Sequence, residues 1–100
     1  PAVADLTGDV TGVLHDFLGR LIEKHQELEG LAISSVEIRG EFVTAAALTL
    51  TFERPEEQKA FAAALEAEDI PYVSFPGDEK KVLLISVDMM IFVMQEAIGL

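Results

Sequence analysis

Cysteine, tryptophan and asparagine are missing from this 100-residue chain, and basic residues are scarce. Without cysteine there is no disulfide and no thiol chemistry, which leaves the compartment open and makes the cytoplasm the default expectation. Without asparagine there is no N-glycosylation acceptor and no Asn-Gly turn, the commonest hairpin dipeptide. Lys and Arg total 7 against 18 Asp and Glu, a formal charge of −11. Gripping a nucleic-acid backbone takes clustered cations that displace counterions, and the only basic doublet is Lys80-Lys81, so direct nucleic-acid binding is not expected. Nor is membrane association: no apolar run approaches the length of a span, and no basic-plus-apolar leader pattern opens the sequence.

Half of the residues are hydrophobic and a quarter are charged. That balance describes a folded globule able to bury a modest core, and a single domain over residues 1–100 is expected. The acidic excess serves solubility, or it attracts a basic partner, including by mimicry of nucleic acid.

The centre of the chain, Leu31 to Glu53, reads as one long β-hairpin closed at Gly40-Glu41. Gly first in a two-residue loop suits a type II′ turn, where φ is positive. In that register Arg39 faces Phe42, Val36 faces Ala45, Ile33 faces Leu48 and Leu31 faces Leu50. One face then carries Leu31, Ile33, Leu48, Leu50 and Phe52 at the base but Glu37, Arg39 and Thr44 near the tip; the other carries Val36, Ile38 and Val43 near the tip but Ser34, Thr49 and Thr51 at the base. The strands are about nine to eleven residues long, and both switch their apolar face at the same height, which makes a simple register error a poor explanation. Either a twist or bulge near Ser34-Ser35 carries the distal half under another element of the chain, or that half is an arm that packs on another subunit or partner, with Phe42 as an aromatic anchor.

Helical spacing of Val10, Val13, Leu14, Phe17, Leu18, Leu21, Ile22 and Leu28 predicts a first helix over Val10 to Leu28. Thr7 or Asp9 is its expected cap, Pro1 to Gly8 a short lead-in, and Gly30 its stop. Arg54-Pro55-Glu56-Glu57 opens a second helix that ends at Asp69 and Pro71. Ile70 to Phe75 is expected as an edge strand and Val82 to Val87 as a central one. Asp88 then caps a last helix, Met89 to Ile98, that is apolar almost all round and therefore suited to burial on more than one side. The order α-ββ-α-ββ-α predicts an α+β two-layer sandwich, a four-stranded, mainly antiparallel sheet with helices on one face.

Chemistry is sparse. His15 and His25, ten positions apart, do not share a helix face as a metal pair would; His25 continues an apolar stripe and is placed to pair with Glu29. Ser34 and Ser35 lack a nucleophile elbow. No glycine-rich phosphate loop occurs. Neither catalytic residues nor a cofactor or metal is expected. The chain reads instead as a non-enzymatic interaction domain, a homodimer or other small homo-oligomer. Its expected interface is Val36, Ile38, Phe42 and Val43 of the hairpin with Met90 and Met94 of the last helix. Glu66, Glu68, Asp69, Asp78 and Glu79 form an acidic patch, offered to a basic protein, if the second helix end and the later loop converge. The alternatives are an acidic inhibitor that mimics nucleic acid and a small-molecule-binding regulatory domain.

Overall fold

A computed structural model describes residues 9–99 of the chain; the lead-in and the Thr7 cap lie outside them. Among the described residues the order is α1 (Val10–Lys24), β1 (Ile33–Arg39), β2 (Ala47–Phe52), α2 (Pro55–Ala67), β3 (Val73–Phe75), β4 (Asp78–Ile85) and α3 (Ser86–Ile98). The four strands form one antiparallel sheet in the order β1-β2-β4-β3. The α+β sandwich and its element order are as the sequence predicts.

Asp9 caps α1, its Oδ1 accepting from the Gly12 N–H at 3.0 Å. Val13, Leu14, Phe17 and Leu21 form the buried stripe of this helix. It stops at Lys24, short of the predicted Leu28. His25 leaves helical geometry, and a 3₁₀ turn, Gln26–Leu28, carries Leu28 into the core.

The hairpin departs most from expectation. Val36 faces Leu50 rather than Ala45, and Ile38 faces Leu48, a slip of five positions (45 to 50). An odd slip exchanges the faces of one strand relative to the other. The apparent switch of apolar face therefore was a register error after all. In the observed register Val36, Ile38, Leu48, Leu50 and Phe52 share one face, and the bulge between Ile33 and Ser35 brings Ile33 to that face as well. Hydrophobic pairing selects this register over the one a two-residue turn would impose. The expected bulge near Ser34-Ser35 is present, but it does not carry the distal half under another element.

The slip leaves residues 40–46 as a connecting loop. Gly40 has φ +122°, and a Cβ there would lie 3.0 Å from the Ala46 Cα. Positive φ is needed as expected, within a longer loop and with a close backbone approach as a second reason. Two bonds fasten the far end: the Ser86 N–H donates to the Ala46 carbonyl at 2.8 Å, and the Ala46 N–H donates to Ser86 Oγ at 2.9 Å. Both residues are fully buried.

α2 begins with Pro55 at its first position. Buried Glu57 reaches back to the Arg54 N–H with Oε1 (3.1 Å) and to the Ala32 N–H with Oε2 (2.9 Å), tying the helix start to the approach to β1. β3 is an edge strand but begins only at Val73, beyond the reach of Pro71. β4 is central and ends at Ile85, so α3 starts at Ser86 and Asp88 lies in its first turn rather than capping it. There the carboxylate still complements the positive end of the helix dipole.

Leu48, Leu50 and Phe52 of β2 and Val82 and Leu84 of β4 meet the helices in one core. Phe52 packs on Phe61 of α2 at 5.0 Å, and Phe17 of α1 stands edge-on to Phe92 of α3 at 5.5 Å. The opposite face of the sheet carries Ala47, Thr49, Thr51, Lys81, Leu83 and Ile85, all half-buried.

Candidate interaction surface

β1 pairs only with β2, so its outer edge offers backbone N–H and C=O groups without a strand partner among the described residues. It is not a projecting arm, because β2 is itself paired with β4 over Ala47 to Thr51. Val36 and Ile38 point to the helix side but lie beyond its cover, each 39% exposed, and Phe42 in the following loop is 69% exposed. Val43 departs from its predicted role. Only 7% exposed, it belongs to the core, because the longer loop turns this residue inward while its neighbour Phe42 turns out.

α3 is apolar on two faces. Met89, Phe92 and Val93 enter the core, whereas Val87, Ile91, Met94 and Ile98 form a second stripe and are each more than a third exposed. Of the predicted pair, Met94 belongs to this stripe and Met90 is half-buried at its flank. Val87, Ile91 and Ile98 were missed. Their spacing with Met94, four then three then four, is that of a heptad seam and was legible in the sequence.

The five carboxylates of the predicted acidic patch fall into two groups at opposite ends of β4. Asp78 and Glu79 begin that strand, next to the turn at Pro76-Gly77, and Asp78 pairs with Lys81 at 3.6 Å. Glu66, Glu68 and Asp69 lie at the end of α2, on the side where α3 begins. The helix end and the loop do not converge, because β3 carries the chain away from Asp69 before β4 returns.

Glu68 is the hub of a polar clamp across the helix layer. His25 Nε2 lies 2.6 Å from Glu68 Oε2, and Lys24 Nζ donates to Glu68 at 3.1 Å and to Glu96 of α3 at 3.2 Å. His25 therefore takes Glu68 as its main partner, with Glu27 at 3.6 Å, and not Glu29. Burial alone would push the Glu68 carboxyl up; the hydrogen bonds and charges of His25 and Lys24 outweigh it and hold the carboxyl below its usual range. The same bonds to Glu68 and Glu96 hold Lys24 above its ordinary value. Glu66 accepts from the Tyr72 hydroxyl, and this bond, with burial, raises the phenol.

Beside the clamp, a cleft of about 380 Å³ runs between the end of α2 and α3. Ile70, Ile91 and Phe92 give it an apolar wall, and Glu68, Asp69 and Asp88 bring carboxylates to it. His15 is exposed, and no group of three or more side chains suited to hold a metal ion occurs among the described residues. Ser34 Oγ donates to the Thr51 carbonyl at 3.1 Å, an intrasheet bond. No described helix is long and apolar enough to cross a membrane. Compared with known proteins, the chain matches no family model, no curated protein sequence and no solved structure.

Proposed function

We propose that this chain is a non-enzymatic protein-interaction domain that self-associates through the free edge of β1, with the cytoplasm as its default setting on composition alone. The observation that supports this is the edge itself. It runs over 7 residues, lacks an outer strand partner among the described residues and carries Val36 and Ile38, each 39% exposed, beside exposed Phe42. A long edge with apolar side chains is a template for another strand.

The side chains favour a short antiparallel pairing of two copies centred on Ile38, over Glu37 to Arg39 of each β1. Ile38 opposes its counterpart on the helix side, while on the other side Glu37 opposes Arg39 twice. Within one chain these two charged groups lie 3.6 Å apart and are well exposed, so each is free to change partner. Opposed apolar and opposite-charge pairs are the arrangements that stabilise an antiparallel ladder. The pairing joins two four-stranded sheets into one.

A mimic of nucleic acid calls for a line of free carboxylates, and their separation into two groups, several of them already bonded, favours self-association over that alternative. Light scattering on a sizing column, at low and high salt, tests the proposal. The wild-type chain should run as a salt-resistant dimer and Ile38→Lys as a folded monomer with unchanged circular dichroism. A monomeric wild type, or a dimer that survives Ile38→Lys, would overturn it.

A further inference from the structure

We infer that the exposed stripe of α3, together with the adjoining cleft, is a docking site for a basic amphipathic helix of a different protein. This surface is separate from the β1 edge, and the inference does not depend on self-association there.

The stripe of Val87, Ile91, Met94 and Ile98 follows heptad spacing over about 17 Å of helix, room for roughly three turns of a partner. α3 already commits Met89, Phe92 and Val93 to the core. Its second stripe is therefore not needed to hold the fold, and a row of apolar side chains on an outer helix face marks an interaction site. Ile91 belongs to both the stripe and the cleft, which makes the two surfaces continuous.

Charge decides between occupants. α3 contains no lysine or arginine; its ionised side chains are Asp88 and Glu96. Across the cleft stands Asp69, and neither Asp69 nor Asp88 makes an ion pair among the described residues. The neighbouring cation Lys24 is already bound by Glu68 and Glu96. A second copy of α3 would set Asp88 against the carboxylates of its counterpart with no base of α3 to answer it. A helix with an apolar seam flanked by Lys or Arg meets the stripe with its seam and Asp69 and Asp88 with its flanks.

The test uses the full chain carrying Ile38→Lys, so that association at β1 does not interfere. The probe is a fluorescent synthetic helix with Leu at the heptad seam and Lys at the flanking positions. Two control peptides carry Glu in place of Lys, or Ser in place of Leu. The Lys peptide should bind at least about tenfold more tightly than either control. Ile91→Ser with Met94→Ser should weaken it by about tenfold or more. Asp69→Asn with Asp88→Asn should weaken it several-fold and flatten its salt dependence. Glu53→Gln with Glu79→Gln, outside the cleft, should leave it unchanged. All variants should keep the parent circular dichroism. Equal binding of the Lys and Glu peptides, or full affinity after the stripe substitutions, would overturn the inference. So would a dimer of the Ile38→Lys chain that Ile91→Ser with Met94→Ser dissolves, since the stripe would then join two copies.

Discussion

β1 and β2 share a ladder but not an environment. In β2 every second residue is fully buried or nearly so, Leu48, Leu50 and Phe52, whereas β1 is exposed from Ser34 to Arg39. β1 adds Ser34, Ser35, Glu37 and Arg39 to its apolar residues while β2 carries no charge, but composition alone does not explain why Val36 and Ile38 lie outside and Leu48 and Leu50 inside. Position does: among the described residues β2 lies between two strands and beneath the helices, and β1 has one neighbour and only partial cover. The same apolar side chain is core in one strand and available surface in the other. α3 repeats this contrast within one helix, with Phe92 inside and Ile91 outside.

Matched substitutions in β2 and β1 separate core from surface most sharply. Leu50→Ala should cost about 3 kcal/mol of stability, because it removes apolar contact and leaves a cavity in the core. Val36→Thr should cost well under about 1 kcal/mol at its half-exposed edge site and act on the mass of the particle instead. Chemical denaturation measures the first effect and light scattering the second. Similar losses of stability from both would mean that β1 is as buried in solution as β2.

The junction that sets where β2 begins provides a smaller effect. Ser86→Ala would leave the buried Ala46 N–H without its acceptor and should destabilise by about 1–2 kcal/mol. A denaturation midpoint equal to that of wild type would show that the loop is fastened by other contacts.

A pH-dependent effect lies outside the sheet, in the clamp at Glu68. Its carboxyl is held below the ordinary value in the folded chain. It thus contributes stability that is present above the ordinary carboxylate range and lost as pH falls through the lower folded value. The side chain is 16% exposed, and Glu68→Gln should remove about 1 kcal/mol at neutral pH and little at acid pH. Parallel stability curves for the two proteins between neutral and acid pH would sink this assignment. Lys24 has the opposite sign: its raised value makes its contribution persist at neutral pH and fade as pH climbs through that value.

Much of the molecule was legible in the chain because local signals carry it. Asp9, Pro55 and the periodic apolar residues of α1 and α2 mark helix starts and faces that depend on neighbours three or four positions away. The apolar run after Lys81 announced a central strand, whereas the edge expected from Pro71 is found in a strand that starts beyond it, at Val73. Of the residues the sequence singles out for an interface, Val36, Ile38, Phe42 and Met94 are exposed and Val43 is not. The heptad spacing of Val87, Ile91, Met94 and Ile98 was equally visible but was hidden among apolar neighbours that serve the core.

Element order, the sheet-and-helix class and the acidic character follow from the chain alone, because capping, periodicity and net charge need no knowledge of distant contacts. The hairpin register, the burial of Val43, the union of His25 with Glu68 and the outward stripe of α3 emerge only when the elements pack together. Each of these depends on residues far apart in the chain competing for one core. A turn preference at Gly40 is weak beside the joining of Val36 and Ile38 to the apolar face of Leu50 and Leu48, and the longer loop follows from that inequality.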